Sequence, residues 1–78
     1  MSLTSRDVIE FLRDALSVDE PIDVESELFS TGLLDSVAML NLITFVEEKA
    51  KIEVRASDVT LDNFDTPQRI EAYVDTRR

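Results

Sequence analysis

Apolar residues recur at intervals of three and four along residues 4–17, which is the spacing of an amphipathic helix. The core-facing positions of this first predicted helix are Val8, Ile9, Leu12, Ala15 and Leu16. Either Thr4 or Ser5 can cap its N-terminus, and Asp7 lies in the first turn, where the helix dipole favours an acidic side chain. We expect this helix to pack on the core and to have no other role.

A second helix is predicted over residues 36–51, with Asp35 as its N-cap and with Lys49 and Lys51 near its C-terminus, where the dipole favours cations. At about 100° per residue, its core-facing positions are Met39, Leu42, Ile43, Val46 and Ala50. Its solvent face then carries Asn41, Thr44, Glu47, Glu48 and Lys51.

Two branched apolar residues, Val37 and Leu40, fall on or beside that solvent face, shortly after Ser36. Either Val37 packs against the preceding loop, or the two side chains contact a partner protein. The helical pattern leaves both interpretations open.

The segment between the two helices, residues 18–31, is predicted to be an ordered loop. Pro21 prevents the first helix from continuing. The apolar residues expected to hold the loop on the helices are Ile22, Val24, Leu28 and Phe29. The acidic residues Asp19, Glu20, Asp23, Glu25 and Glu27 are interpreted as a solvated charge run. They lack the glycine that a calcium-binding loop needs at its sixth position, so no metal site is expected.

The C-terminal third carries a strong helix start, with Thr66 as N-cap and Pro67 at the first helical position. The helix that follows should bury Ile70, Tyr73 and Val74 and end near Arg77. Before it, we predict extended chain and one short helix near residues 57–61. A lone strand-like run at 52–54 cannot form a sheet. The predicted fold is therefore all-α: a small four-helix bundle, with three main helices and one short one, in a single domain over residues 1–78.

Charge and composition narrow the possible functions. The chain has 17 acidic and 8 basic residues, a net charge of −9, which makes nucleic acids and anionic membranes poor partners. It has no cysteine and no histidine, so disulfides and thiolate or imidazole zinc sites are excluded. No apolar run approaches the length of about 18 residues that suggests a membrane span, and a cytoplasmic location is expected.

Direct catalysis is not expected either. A nucleophilic serine needs a base within hydrogen-bond reach, and Lys49 lies more than three turns along the helix from Ser36. Ser36 does, however, lie at a predicted helix N-terminus, where free N–H groups and the dipole favour a phosphate ester. An isolated Asp35-Ser36 pair would be interpreted as no more than a helix cap.

The longer stretch LFSTGLLDS, residues 28–36, resembles the modification site of the acyl/peptidyl carrier protein superfamily. The resemblance implies that Ser36 carries 4′-phosphopantetheine, attached from coenzyme A by a phosphopantetheinyl transferase, with Asp35 and Gly32 completing the site. The thiol of that arm would hold an acyl or aminoacyl group as a thioester. The implied partners are an acyl- or aminoacyl-activating ligase and a downstream acyl-accepting enzyme, and the carrier itself is expected to be a monomer.

Within this superfamily, carriers of fatty acid synthesis typically have leucine and acidic residues just after the serine. Here those positions hold Val37, Ala38 and Asn41, and the stretch is more similar to stand-alone D-alanyl and aminoacyl carriers. The predicted docking face for partners consists of Val37, Ala38, Leu40, Asn41, Thr44, Glu47 and Glu48. The alternative is a small helical interaction module that binds through Val37 and Leu40 and is never modified.

Overall fold

A computed structural model describes residues 3–18 and 21–77. Its elements are α1 (Ser5–Asp14), α2 (Ser36–Ala50), a 3₁₀ turn (Ala56–Asp58), α3 (Leu61–Phe64) and α4 (Pro67–Arg77). No strand occurs within those ranges. The predicted all-α bundle with three main helices is therefore confirmed.

Local side-chain bonds set the start of each main helix, as predicted. At α1, the Asp7 N–H donates to Thr4 Oγ1 while Asp7 Oδ2 accepts from the Thr4 N–H, so that each residue satisfies an N–H of the other. At α4, Thr66 Oγ1 accepts from the Arg69 N–H. The first helix ends three residues before its predicted end, because Ser17 adopts a left-handed conformation (φ 54°) and the Val18 N–H returns to the Leu12 carbonyl oxygen.

One buried apolar cluster joins the helices and the long loop. It consists of Leu3, Val8, Leu12, Ile22, Leu28, Leu34, Leu42, Val46, Ala50, Phe64, Ile70, Tyr73 and Val74. α4 packs against α1 and α3, and α1 packs against α2. Full burial of a large apolar side chain contributes about 1.5–3 kcal/mol. The cluster includes Ile22, Leu28 and Leu34, so burial of their side chains holds the loop before α2 on the helices.

The second helix buries Leu42, Val46 and Ala50 as predicted, while Met39 and Ile43 are only partly buried. Within the described ranges, no helix has the length and apolar character needed to cross a membrane.

Two predictions outside the main helices are wrong. The single short helix near residues 57–61 is replaced by the 3₁₀ turn and α3, because Thr60 is extended (φ −130°, ψ 164°) and separates them. Val24 does not anchor the loop through its side chain, since the residue is 41% exposed. Its carbonyl oxygen instead accepts from the Gln68 N–H of α4 at 2.9 Å.

The other predictions for the loop are confirmed wherever the structure describes the residues concerned. Ile22 and Leu28 are buried and Phe29 is partly buried, as expected. The acidic side chains of Asp23, Glu25 and Glu27 are exposed, whereas Asp19 and Glu20 lie outside the described residues.

Candidate functional site

The loop over residues 28–34 closes on itself immediately before α2. The Leu34 N–H donates to the Leu28 carbonyl oxygen at 2.9 Å, and the Gly32 N–H donates to that of Phe29 at 3.1 Å. Leu28 and Leu34 are both buried, so the two ends of the loop are held in the core. The path of the chain into α2 is therefore defined by backbone bonds and by burial together.

Gly32 has a φ of +78°, and no atom lies within 4 Å of the position that a Cβ would occupy. The sequence predicts either a positive φ or close packing at this position. The φ of Gly32 is positive, and the space around the glycine is open. The requirement for glycine here is conformational, since residues with a Cβ rarely adopt such a φ.

Asp65, at the junction of α3 and α4, holds the other side of this loop. Its Oδ1 accepts from the N–H groups of Phe29 (2.9 Å) and Ser30 (3.0 Å), and its Oδ2 accepts from the Ser30 hydroxyl (2.6 Å). The Leu28 N–H donates to the Asp65 carbonyl oxygen at 2.6 Å. Sequence reasoning did not identify Asp65, because an acidic residue before a helix cap gives no sign that it is buried or that it bonds to a distant loop.

Burial raises the pKa of the Asp65 carboxyl. The hydrogen bonds from the Ser30 hydroxyl and N–H and from the Phe29 N–H, with the positive charge of Arg69, outweigh burial and hold the pKa below its ordinary value. Asp65 is 1% exposed, so the ionised carboxylate is stabilised by these bonds and very little by water.

Folding stability should depend on pH through this group. Because the folded-state pKa is lowered, the contribution of Asp65 is fully present above the ordinary pKa of the unfolded carboxyl, 3.8. It is lost as the pH falls through the lower folded value. We expect wild type to exceed Asp65→Asn by about 1–3 kcal/mol in unfolding free energy near neutral pH, and this difference to shrink below about pH 4.

Urea denaturation of both proteins between pH 7 and pH 2.5 measures the difference. The other carboxylates are common to the two proteins, so the comparison isolates Asp65. A difference that stayed constant across the whole pH range would contradict the assignment.

The first turn of α2 presents Ser36. Asp35 caps the helix as predicted: its Oδ1 accepts from the Ala38 N–H at 2.9 Å, and its carbonyl oxygen accepts from the Met39 N–H at 3.0 Å. The N–H groups of Ser36 and Val37 are left at the helix terminus. Ser36 is exposed, and its hydroxyl has no hydrogen-bond partner among the residues that the structure describes. Among the described residues, the terminus therefore offers a hydroxyl without a partner next to N–H groups without an acceptor.

The predicted docking face is largely exposed. Val37 is 64% exposed and Leu40 is 65% exposed, so Val37 does not pack against the preceding loop. Asn41, Thr44 and Glu48 are exposed as well, and Ala38 is partly buried.

Glu47 departs from the predicted solvent face. It is partly buried, and its Oε2 accepts from the Val54 N–H at 2.9 Å. The carboxylate therefore holds the chain that leaves α2 and is not free for a partner in the way that Glu48 is.

Together these features describe a scaffold that presents a serine. The hydroxyl is solvent-exposed, no base of the described chain bonds to it, and the three long helices pack around a core that positions the helix on which it lies. This is the class of small carrier domain whose chemistry comes from an attached group.

Comparison with known proteins agrees with this class. Residues 6–74 match the family described as "Phosphopantetheine attachment site", and the chain belongs to this family. It is 30% identical over 73 residues to the D-alanyl carrier protein of Lactobacillus acidophilus, covering 94% of this chain and 92% of the relative. It is 38% identical over 64 residues to the D-alanyl carrier protein of Listeria monocytogenes, covering 81% and 82%.

The protein is thus a phosphopantetheine-dependent carrier similar to D-alanyl carrier proteins, and it is not itself an enzyme. Members of the family carry covalently attached 4′-phosphopantetheine and work with phosphopantetheinyl transferases and ligases. The alternative of an interaction module that is never modified is not favoured.

Proposed function

We propose that Ser36 carries the 4′-phosphopantetheine arm and that the arm carries D-alanine. The observation that carries this proposal is the exposed Ser36 hydroxyl at the Asp35-capped start of α2, within the segment matched by the family. The D-alanyl cargo is supported by the similarity to D-alanyl carrier proteins over most of the chain. It is supported also by the absence of acidic residues in the first turn of α2.

The helix terminus suits a phosphate ester. The N–H groups of Ser36 and Val37 and the positive end of the α2 dipole favour negative charge at this point. Asp35 keeps the first turn formed, and Gly32 lets the loop turn without strain before it. When attached, the arm supplies a terminal thiol, which this chain lacks since it has no cysteine.

Partner recognition is proposed to use the exposed side chains around this serine. A phosphopantetheinyl transferase, an aminoacyl-activating ligase and a downstream acyl-accepting enzyme must each reach the same arm. We therefore propose that all three contact the early turns of α2, centred on Val37 and Leu40. We also propose that residues 1–78 act as one monomeric carrier domain in the cytoplasm, in keeping with the single buried cluster that spans the bundle.

The proposed function is tested by incubating the protein with coenzyme A and a broad-specificity phosphopantetheinyl transferase, and then measuring its intact mass. We expect one addition, which peptide mapping should locate at Ser36. The modified protein is then offered to a D-alanine-activating ligase with D-alanine, L-alanine or glycine, and D-alanine should be loaded fastest. Absence of any addition would indicate an unmodified interaction module, and preferred loading of another amino acid would contradict the assigned cargo.

The conformation of Gly32 leads to a further prediction. Gly32→Val should slow the modification of Ser36, because a β-branched residue at φ +78° introduces strain of about 1–3 kcal/mol that the loop relieves by moving. Gly32→Asn is the matched control, since asparagine tolerates this conformation and the space around the Cβ position is open. The measurement is the initial rate of modification of each variant. Equal rates for the valine and asparagine variants would mean that the backbone conformation at Gly32 does not matter for modification.

A further inference from the structure

The carboxylate of Asp65 is directed at the loop that leads to Ser36. All the hydrogen bonds that this residue accepts from the loop come from three consecutive residues, Leu28, Phe29 and Ser30. Three of these bonds end on the side chain and one ends on the carbonyl oxygen. Burying a carboxylate is costly unless it is well hydrogen-bonded, and here the loop provides those bonds.

The backbone that carries this carboxylate is itself held in place. The neighbouring side chains of Phe64, Thr66 and Pro67 are buried, and the Asp65 N–H donates to the Leu61 carbonyl oxygen at 3.1 Å. The Gln68 N–H donates to the Val24 carbonyl oxygen, so that a second bond joins the start of α4 to the long connection. The junction of α3 and α4 is thus fixed to the rest of the bundle by burial and by backbone hydrogen bonds.

The bonds continue from Asp65 toward the serine. The N–H groups of Leu28 and Phe29 donate to Asp65. The carbonyl oxygens of the same two residues accept from the N–H groups of Leu34 and Gly32, respectively. Leu34 directly precedes Asp35, the N-cap of α2. The positions of Gly32 and Leu34, and through them the entry into α2, therefore depend on where Asp65 holds Leu28 and Phe29.

We propose that Asp65 is a positioning residue for the modification of Ser36, an inference that rests on the proposed function. It touches neither the serine nor the arm. It holds the 28–34 loop so that the Ser36 hydroxyl lies in line with the phosphate of coenzyme A that the transferase presents. The serine oxygen then bonds to phosphorus, the bond from phosphorus to the 3′,5′-ADP leaving group breaks, and the hydroxyl proton passes to a base of the transferase or to water. Displacement of a reacting group by about 1 Å can reduce the rate by as much as about a hundredfold.

The test compares Asp65→Ala with Asp65→Asn in the transferase reaction. The alanine variant leaves the Phe29 and Ser30 N–H groups without their acceptor. The asparagine variant keeps an oxygen for both, and its amide can donate to the Ser30 hydroxyl. We expect Asp65→Ala to lower kcat by about tenfold or more with little change in KM, because Val37 and Leu40 are untouched. Asp65→Asn should recover most of the rate.

A matched control separates positioning from stability. Tyr73→Phe removes a hydrogen bond to Asp58 Oδ2 (2.8 Å) from a buried side chain of α4 without touching the loop. It should leave kcat unchanged under conditions where every variant is fully folded. In parallel, NMR should show the amide resonances of Phe29, Ser30 and Gly32 shifted in Asp65→Ala and unshifted in Tyr73→Phe.

The results that would overturn the inference are distinct from failure of the proposed function. If wild type is not modified, the proposed function fails. If wild type is modified and folded Asp65→Ala retains its kcat, or Tyr73→Phe loses as much, only the positioning role fails. If Asp65→Ala does not fold, Ser30→Ala is tested in its place, because this variant lacks only the hydrogen bond to Asp65 Oδ2. A severalfold lower kcat for Ser30→Ala supports the positioning role of Asp65, and an unchanged kcat overturns it.

Discussion

Replacing Ser36 with alanine is expected to abolish the mass increase produced by coenzyme A and transferase, while leaving the fold intact. The side chain is exposed and has no partner among the described residues, and the cap of α2 is supplied by Asp35. Substitutions of this kind usually change the unfolding free energy by less than about 0.5 kcal/mol. Intact mass and urea denaturation measure the two effects separately.

Asp35→Ala is the complementary control for this prediction. It removes the acceptor of the Ala38 N–H and should cost about 0.5–2 kcal/mol of stability, yet it retains the Ser36 hydroxyl. The interpretation of Ser36 would be wrong if Ser36→Ala unfolded the protein, or if the alanine variant still gained the mass of the arm.

The second large effect concerns the docking face. Leu40→Asp, and likewise Val37→Asp, should lower the kcat/KM of loading by the cognate ligase by about tenfold or more. Burial of a branched apolar side chain is worth about 1.5–3 kcal/mol, and about 1.4 kcal/mol corresponds to a factor of ten. Both residues are more than half exposed, so these substitutions should leave the unfolding free energy nearly unchanged.

The matched control for the docking face is Glu48→Ala. An exposed charge pair contributes only about 0–1 kcal/mol, so this substitution should have a small effect. Glu47 is a poorer control than Glu48, although the helical pattern places both residues on the solvent face. Its Oε2 accepts from the Val54 N–H, and its removal would disturb the end of α2 as well as the surface charge.

Salt provides an independent measurement of the same distinction. Raising the ionic strength should slow the encounter between the carrier and its ligase, with little effect on the bound complex. If glutamate substitutions reduced loading more than Leu40→Asp, and if affinity collapsed in salt, the protein would behave as a carrier of the fatty-acid type. The assignment to aminoacyl cargo would then lose its main support.

Much of the scaffold follows from local sequence. The caps at Thr4, Asp35 and Thr66 bond to N–H groups within three residues, so the residue types and their spacing are enough to predict them. The exposure of Val37 and Leu40 follows in the same way from helical periodicity, because a single helix has one face on the core. The candidate serine was predicted because its motif is contiguous.

Other features depend on contacts between residues distant in sequence, and only the tertiary structure decides them. The exposure of Val24 depends on α4, which meets that segment through its backbone. Glu47 is partly withdrawn from the solvent face because its carboxylate accepts from the Val54 N–H of the chain that follows α2. Asp65 contacts the 28–34 loop because the α3–α4 junction packs against it, and the Phe29 and Ser30 N–H groups have no other acceptor among the described residues.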